Sequence, residues 1–164
     1  MTTSHLPPGA LEDMLAAAWV TQGVRPHVRR VLASLAEPRR ITAGHVLFRD
    51  GDPSDSLAVV LTGRIGLRLR VPERGPVMIL TVEPGDIVGW SAVVPPYRAT
   101  STAVALAETE LAHFDGSKLR SALDQDDSLA AEFYPLVLRA VARRLEGTRL
   151  QLLDLFSQRW VEPW

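Results

Sequence analysis

The order of apolar and polar residues divides the chain into three zones. From about Pro8 to Ala36, apolar residues recur at steps of three and four, which predicts helices. From Ile41 to Phe114, short apolar runs are separated by glycines, which predicts strands joined by tight turns. From Asp115 the helical spacing returns. We therefore expect a helical segment at 1–40, a β domain at 41–115, helices at 116–158 and a tail at 159–164.

The middle zone has the pattern of a mainly antiparallel β domain. In "RIGLRLRV" the apolar residues Ile65, Leu67, Leu69 and Val71 alternate with Gly66, Arg68 and Arg70, as in a half-buried strand. Short strands at such spacing favour a jelly roll or a barrel, which has many loops and an interior able to hold a small ligand. The fold class expected is α+β, mainly β, with helices before and after the jelly roll.

The last zone predicts a short helix in "GSKLRSALDQD" and then a long helix. Residues 126–128 suit the start of the long helix, because their side-chain oxygens can accept bonds from its free amides. Pro135 lies too deep to be a first-turn proline, so we expect a kink or a short break there. From Pro135 to Phe156 the helix would be about 30 Å long.

Composition narrows the class of protein. The chain has 164 residues, 46% of them apolar and 23% charged, as in a globular domain with one substantial core. Its net charge of −1 gives no support for non-specific attraction to nucleic acid or to an acidic membrane. The N-terminus lacks a signal pattern, and no apolar run has membrane-spanning length. We therefore expect a cytoplasmic protein without membrane association.

Enzyme signatures are missing from the sequence. The absence of cysteine leaves no thiolate nucleophile and no cysteine-based zinc site. The four histidines, His5, His27, His45 and His113, are not spaced as metal ligands on one strand. No nucleophile-elbow pattern surrounds a serine. We expect no catalytic residue, no bound metal and no required cofactor.

The stretch "DIVGWSAVVPPYRAT" (86–100) carries the candidate chemistry. Gly89 permits a tight exit from a strand, and "WSAV" can form one helical turn that Pro95-Pro96 would prevent from extending. The amides of such a turn, together with Arg98 and Thr100, can hold an anion. The alternative is a surface loop with a solvated arginine, and one glycine with one arginine favours that alternative when taken alone.

At this point the chain resembles a known family, the cyclic-nucleotide-binding domain of bacterial catabolite-activator-type regulators and eukaryotic cyclic-nucleotide-dependent kinases. The resemblance runs from about Ile41 to Phe156 and rests on the glycine turns "AGHVLFRDGDPSD", "LTGRI" and "EPGDIVG". Residues 85–100 are similar to the family's phosphate-binding cassette, including the nine-residue step from Gly89 to Arg98. "VARRLEGTRLQLL" is similar to the long C-terminal helix that forms the family's dimer interface.

The resemblance implies a role for each matching residue. Arg98 would pair with the cyclic phosphate, and the Ala99 amide and Thr100 would complete its hydrogen bonds. Thr148 would contact the purine or only pack on the apolar stripe, and Arg149 would come from the other subunit of a homodimer. The implied ligand site, with cAMP or cGMP as candidate ligand, comprises Gly89, Trp90, Ser91, Ala92, Arg98, Ala99, Thr100, Thr148 and Arg149. The Arg143-Arg144 pair is interpreted as a solvated helix face.

The cassette departs from the family pattern at one important position. The family's Gly-Glu-Leu is here Gly89-Trp90-Ser91, so the carboxylate that receives the ribose 2′-hydroxyl is absent. Such a bond is worth roughly 1.5–3 kcal/mol, about tenfold to a hundredfold in affinity. Two hypotheses follow: a sensor that binds a cyclic nucleotide or similar phosphorylated ligand, and a degenerate domain in which Trp90 plugs the cavity and the helix serves dimerisation or protein interaction.

The end of the chain departs from the family's regulators as well. Only eight residues follow Phe156, which are too few for a helix-turn-helix unit. We therefore expect no DNA binding by this chain alone, and a protein partner would read any signal. Trp160 and Trp164 in the tail are hypothesised to cover an apolar patch at the dimer seam.

Overall fold

The computed structural model describes residues 2–3 and 9–157. Two helices precede the main β domain: α1 (Ala10–Ala17) and α2 (Pro26–Leu35), with a 3-10 turn at Trp19–Thr21 between them. Pro26 occupies the first position of α2, where its missing amide hydrogen costs no helical bond. The tail at 159–164 lies outside the described residues.

The strands form two antiparallel sheets. The strands are β1 (Thr2–Thr3), β2 (Ala36–Ile41), β3 (Val46–Phe48), β4 (Ser56–Thr62), β5 (Ile65–Val71), β6 (Gly75–Val82), β7 (Ile87–Val88), β8 (Thr102–Ala105) and β9 (Thr109–Asp115). One sheet has the order β1-β2-β9-β4-β7 and the other β3-β8-β5-β6. This sandwich with flanking helices confirms the predicted mainly β jelly roll.

The boundary of the N-terminal helices differs from the expectation. Residues 36–40, expected in the helical segment, begin strand β2. All six residues of β2 pair with β9, from Ala36 opposite Phe114 to Ile41 opposite Thr109. Strands β2 and β9 lie far apart in the sequence, so the local helical spacing before residue 36 cannot reveal that they pair.

Strand β4 lies at the centre of the core. Its residues alternate between two apolar clusters: Ala58 and Val60 face the second sheet, whereas Leu57 and Val59 face the helices. Both faces of the strand are therefore buried, which explains why "SLAVVLT" reads as a nearly continuous apolar run.

Two helices follow the sandwich. In α3 (Gly116–Gln125) the Asp115 carboxylate caps the first turn by accepting the Lys118 amide at 2.9 Å. In α4 (Asp127–Ser157) Asp126 accepts the amides of Ser128 and Leu129 at 2.9 and 3.0 Å, as its position in the sequence predicts. The helix continues through Pro135, so of the expected kink or short break, the break is absent. No helix in the described part of the chain is long and apolar enough to span a membrane.

Candidate functional site

The cassette begins with a backbone turn that only glycine fits. Gly89 follows β7 with φ 80°, and Trp90–Ala92 form a 3-10 turn in which the Ala92 amide donates to the Gly89 carbonyl at 3.0 Å. A Cβ atom at residue 89 would lie well inside van der Waals contact with the Ser56 carbonyl oxygen. The turn predicted from "GWSAV" is therefore present, and its position against β4 depends on the missing side chain.

The second half of the cassette pairs with the loop after β3. The Ala99 amide donates to the Asp52 carbonyl at 2.9 Å, and the Ala99 carbonyl accepts the Gly51 amide at 2.9 Å. Arg98 is exposed, and its Nη1 donates to the Gly51 carbonyl at 2.7 Å. The Ala99 amide and the Arg98 guanidinium, both expected at a phosphate, are thus bonded to backbone carbonyls in this structure.

A second arginine, which sequence reasoning missed, supports the cassette from α3. Arg120 donates from Nη1 to the Ala92 carbonyl at 2.6 Å. Its guanidinium also lies 4.8 Å from the centre of the Tyr97 ring, as a cation–π contact. Arg120 therefore ties the last residue of the 3-10 turn, and Tyr97 in the loop that follows, to α3.

A cavity of about 130 Å³ lies between the cassette and α4. Six of the predicted site residues line it: Gly89, Trp90, Ser91, Ala99, Thr100 and Thr148. The other lining residues, which the sequence reasoning did not assign to the site, are Phe48, Ser54, Leu67, Ile79, Ser101 and Arg144. Ala92, Arg98 and Arg149 do not line it; Ala92 is buried, whereas Arg98 and Arg149 are exposed.

Arg144 is the one guanidinium among the residues that line this cavity. It reaches from α4 and donates from Nη2 to the Ile87 carbonyl at 2.7 Å. Its Nε is buried and has no hydrogen-bond partner among the described residues. Burial lowers the pKa of the guanidinium, and the charge of Asp86 opposes that shift.

The interpretation of Arg143-Arg144 as a solvated helix face is therefore wrong for Arg144, whereas Arg143 is exposed. Arg144 is half-buried against β7, and the Arg143 guanidinium lies 4.6 Å from the centre of the Trp19 ring. One sequence signal could have placed Arg144: it lies four residues before Thr148, so both residues share a helix face. The Thr148 hydroxyl donates to the Arg144 carbonyl at 2.9 Å.

Asp86, at the start of the cassette stretch, is a buried carboxylate. Its Oδ1 accepts the Ile87 amide at 2.7 Å. Burial raises the pKa of this carboxyl, while the Ile87 amide bond and the charges of Arg144 and Arg143 oppose the shift. The start of β7 therefore presents to Arg144 a buried acidic group and the Ile87 carbonyl that accepts its hydrogen bond.

Trp90 stands where the resemblance would place a carboxylate for a ribose hydroxyl. The indole is half-buried, lines the cavity and packs against the apolar cluster between the first sheet and the helices. An indole has one donor and no acceptor, so it supplies surface rather than a hydroxyl acceptor. The hydroxyls on the lining, those of Ser54, Ser91, Thr100, Ser101 and Thr148, are neutral.

Comparison with known proteins identifies the family. The model of the cyclic nucleotide-binding domain matches residues 38–126, which include the whole cassette. The chain belongs to the cyclic nucleotide-binding domain family. This family consists of regulatory domains that are usually not enzymes themselves. Within the described residues there is also no group of three or more histidines, aspartates and glutamates that could hold a metal ion.

Three relatives illustrate where this domain occurs. The CRP-like cAMP-activated global transcriptional regulator of Mycobacterium tuberculosis is 28% identical over 145 residues, 88% of this chain and 63% of the regulator. The N-terminal domain of a Streptomyces coelicolor transcriptional regulator is 29% identical with a TM-score of 0.64, over 83% of this chain and 94% of that one. A cyclic nucleotide-binding protein structure from Geobacter metallireducens shares the fold, with TM-score 0.72 and 23% identity over 86% and 99% of the two chains. This chain thus spans less than two thirds of the mycobacterial regulator.

Proposed function

We propose that this chain is a sensor domain that binds a cyclic nucleotide, or a similar phosphorylated ligand, in the cavity between the cassette and α4. The observation that carries the proposal is that one cavity is bounded by Gly89, Ser91 and Thr100 on one side and by Arg144 and Thr148 on the other. A ligand in that cavity contacts both the cassette and the helix. Its binding free energy therefore depends on where α4 lies.

The size of the cavity supports coupling between binding and helix position. Small-molecule sites usually have volumes of about 300–1,000 Å³, whereas this cavity measures about 130 Å³. A nucleotide therefore requires α4 to move outward or Trp90 to turn away. If α4 moves, the bond between Arg144 and the Ile87 carbonyl breaks, so ligand entry and release of the helix become one event.

Arg98 is the proposed phosphate-binding residue. Its guanidinium is exposed at the rim and is held by a single bond to the Gly51 carbonyl. Turning the side chain toward the cavity exchanges that bond for a bidentate contact with a phosphate, which is stronger because both partners are charged. Thr100 and Ser91 line the cavity with hydroxyls for the remaining phosphate and sugar oxygens.

Calorimetric titration with cAMP and with cGMP tests this function. We expect Arg98→Ala to weaken binding by about tenfold to a hundredfold, because a charge-assisted bond is lost. Arg64→Ala is the matched control, since Arg64 is also an exposed arginine and is far from the cassette in sequence. This variant should bind both nucleotides with the affinity of the wild type. Equal affinity of the wild type and Arg98→Ala would exclude Arg98 as the phosphate site.

A second function, an interaction module that binds no nucleotide, is favoured by one observation. Trp90 both lines the small cavity and packs against the core, as a residue that plugs the site would. In that case the wild type binds neither nucleotide at millimolar concentration. Trp90→Ala, which enlarges the cavity, then gains measurable binding, whereas under the sensor proposal the wild type already binds.

The proposal includes a homodimer formed through α4. Tyr134, Leu138 and Leu145 are 44%, 68% and 51% exposed, and their steps of four and seven residues place them on one helix face. Arg149, four residues after Leu145, extends the same face. A second copy of α4 packed against this face would bury the leucines and bring Arg149 to the partner's side of the seam.

A further inference from the structure

A second cavity, of about 540 Å³, lies on the outer face of the sheet β3-β8-β5-β6. Its lining includes Arg49, Arg68 and Arg70, together with Thr102 of β8 and an apolar floor that includes Val46 and Val104. The groove shares no lining residue with the cassette cavity. Its volume falls within the range of about 300–1,000 Å³ that is typical of small-molecule sites.

Strand pairing explains why the arginines share this face. Arg68 of β5 pairs with Thr102 of β8, while the preceding pair, Leu67 with Ala103, lies in the interior of the sandwich. Side chains alternate between the faces of a strand, so Arg68 and Arg70 both point outward, with Cα atoms about 7 Å apart. Val46 and Val104 form a neighbouring pair in β3 and β8 and complete the floor.

Arg49 reaches the groove from the loop after β3. The following residue, Asp50, donates its amide to the Thr102 hydroxyl at 3.1 Å, which holds the loop beside Arg68. Among the described residues, no carboxylate lies within ion-pair distance of Arg49, Arg68 or Arg70. Three arginines and one aspartate leave the groove with a formal charge of +2.

We propose that this groove is a binding site for an organic diphosphate, separate from the cassette. Two guanidiniums on one strand face can each make bidentate contacts with a phosphate, and Arg49 supplies a third positive charge. The apolar floor of Val46 and Val104 suits the organic part of such a ligand. A concave site with an apolar floor favours a small molecule as the ligand. An acidic protein segment would need only a flat charged surface.

Calorimetric titration of the full chain, with ADP and inorganic pyrophosphate as probes, tests this proposal. We expect both probes to bind the wild type, and Arg68→Gln/Arg70→Gln to weaken both by about tenfold or more. The matched control is Arg30→Gln/Arg64→Gln, which removes the same charge from exposed positions outside the groove. That control should bind pyrophosphate as the wild type does.

Amide chemical shifts of the isotope-labelled wild type give a readout that requires no variant. ADP should shift the amides of residues 68–70 and 102 more than those of residues 89–92. Absence of binding at millimolar probe, or equal loss in both double variants, would overturn the proposal. Tighter binding of a poly-glutamate peptide than of ADP would overturn it too, since the groove would then be a protein-binding surface.

Discussion

At the scale of single residues, Gly89 shows how one missing side chain positions the cassette. Gly89 and Gly44 have nearly the same positive φ, 80° and 83°, but a Cβ at Gly44 would meet no atom within 4 Å, whereas one at Gly89 would clash with the β4 backbone. The conformational cost of alanine, about 1–2 kcal/mol, is thus common to both positions. Only residue 89 adds a steric cost.

We therefore expect Gly89→Ala to lower the free energy of unfolding more than Gly44→Ala does. Denaturant unfolding of the two variants and the wild type measures the difference, with Gly44→Ala lowered by about 1–2 kcal/mol. Equal losses in the two variants would show that the cassette can shift away from β4 at no cost, contrary to the close packing seen here.

His113 is the second residue with a measurable consequence. It is buried within β9, and its Nδ1 has no partner among the described residues. Burial, followed by the charge of Arg39, lowers the pKa of the imidazole, while Glu37 and Asp115 oppose the shift. Because its pKa is lowered in the native state, the unfolded chain binds the proton first as the pH falls.

We therefore expect the free energy of unfolding to decrease as the pH falls below 6.5, the ordinary value for histidine. His113→Gln removes the titrating group, so its unfolding free energy should decrease less over that interval, even if the variant is less stable overall. Denaturant unfolding at a series of pH values measures both slopes. An unchanged slope would mean that His113 does not cause the acid sensitivity.

At the scale of elements, α4 changes character along its length. Its first half is anchored by buried Leu129, Phe133, Leu136 and Ala140, whereas most residues after 141 are exposed. Arg144 lies at this transition and bonds to the Ile87 carbonyl at 2.7 Å. The second half of the helix is thus held to the β domain by a polar contact beside the cavity, which suits an element that moves when a ligand binds.

Removing that contact should loosen the second half of α4. We expect Arg144→Gln to increase amide hydrogen exchange from residue 141 onward, while residues 129–140 keep their protection. Glu146→Gln is the control on the same helix, since Glu146 is exposed and lies outside the cavity lining. If exchange in the two variants is the same, Arg144 does not hold the helix.

At the scale of the whole molecule, the exposed apolar face of α4 predicts self-association. Leu138→Glu and Leu145→Glu place charges on this face, so we expect either change to shift a dimer toward monomer in sedimentation or light-scattering measurements. Leu150→Glu is the matched control: Leu150 is 63% exposed but lies about 140° around the helix from Leu145. A monomeric wild type at high concentration would contradict the dimer, and equal dissociation by Leu150→Glu would place the seam elsewhere.

The sequence determined the elements and the family of this protein. Helical and strand spacing, together with glycine turns, are local signals, so the sandwich, the long helix and the cassette turn at Gly89 followed from them. The resemblance over residues 41–156 led to the cyclic nucleotide-binding family, which the match at 38–126 confirms.

Tertiary structure decided where the charges lie. The spacing of residues 98 and 144 does not reveal that Arg98 bonds to the Gly51 carbonyl at the rim while Arg144 lines the cavity, because those contacts join segments far apart in the chain. The same reason applies to Arg49, Arg68 and Arg70, which the pairing of β3, β8 and β5 brings to one groove. Local spacing fixes which way a side chain faces, but only packing fixes what it meets.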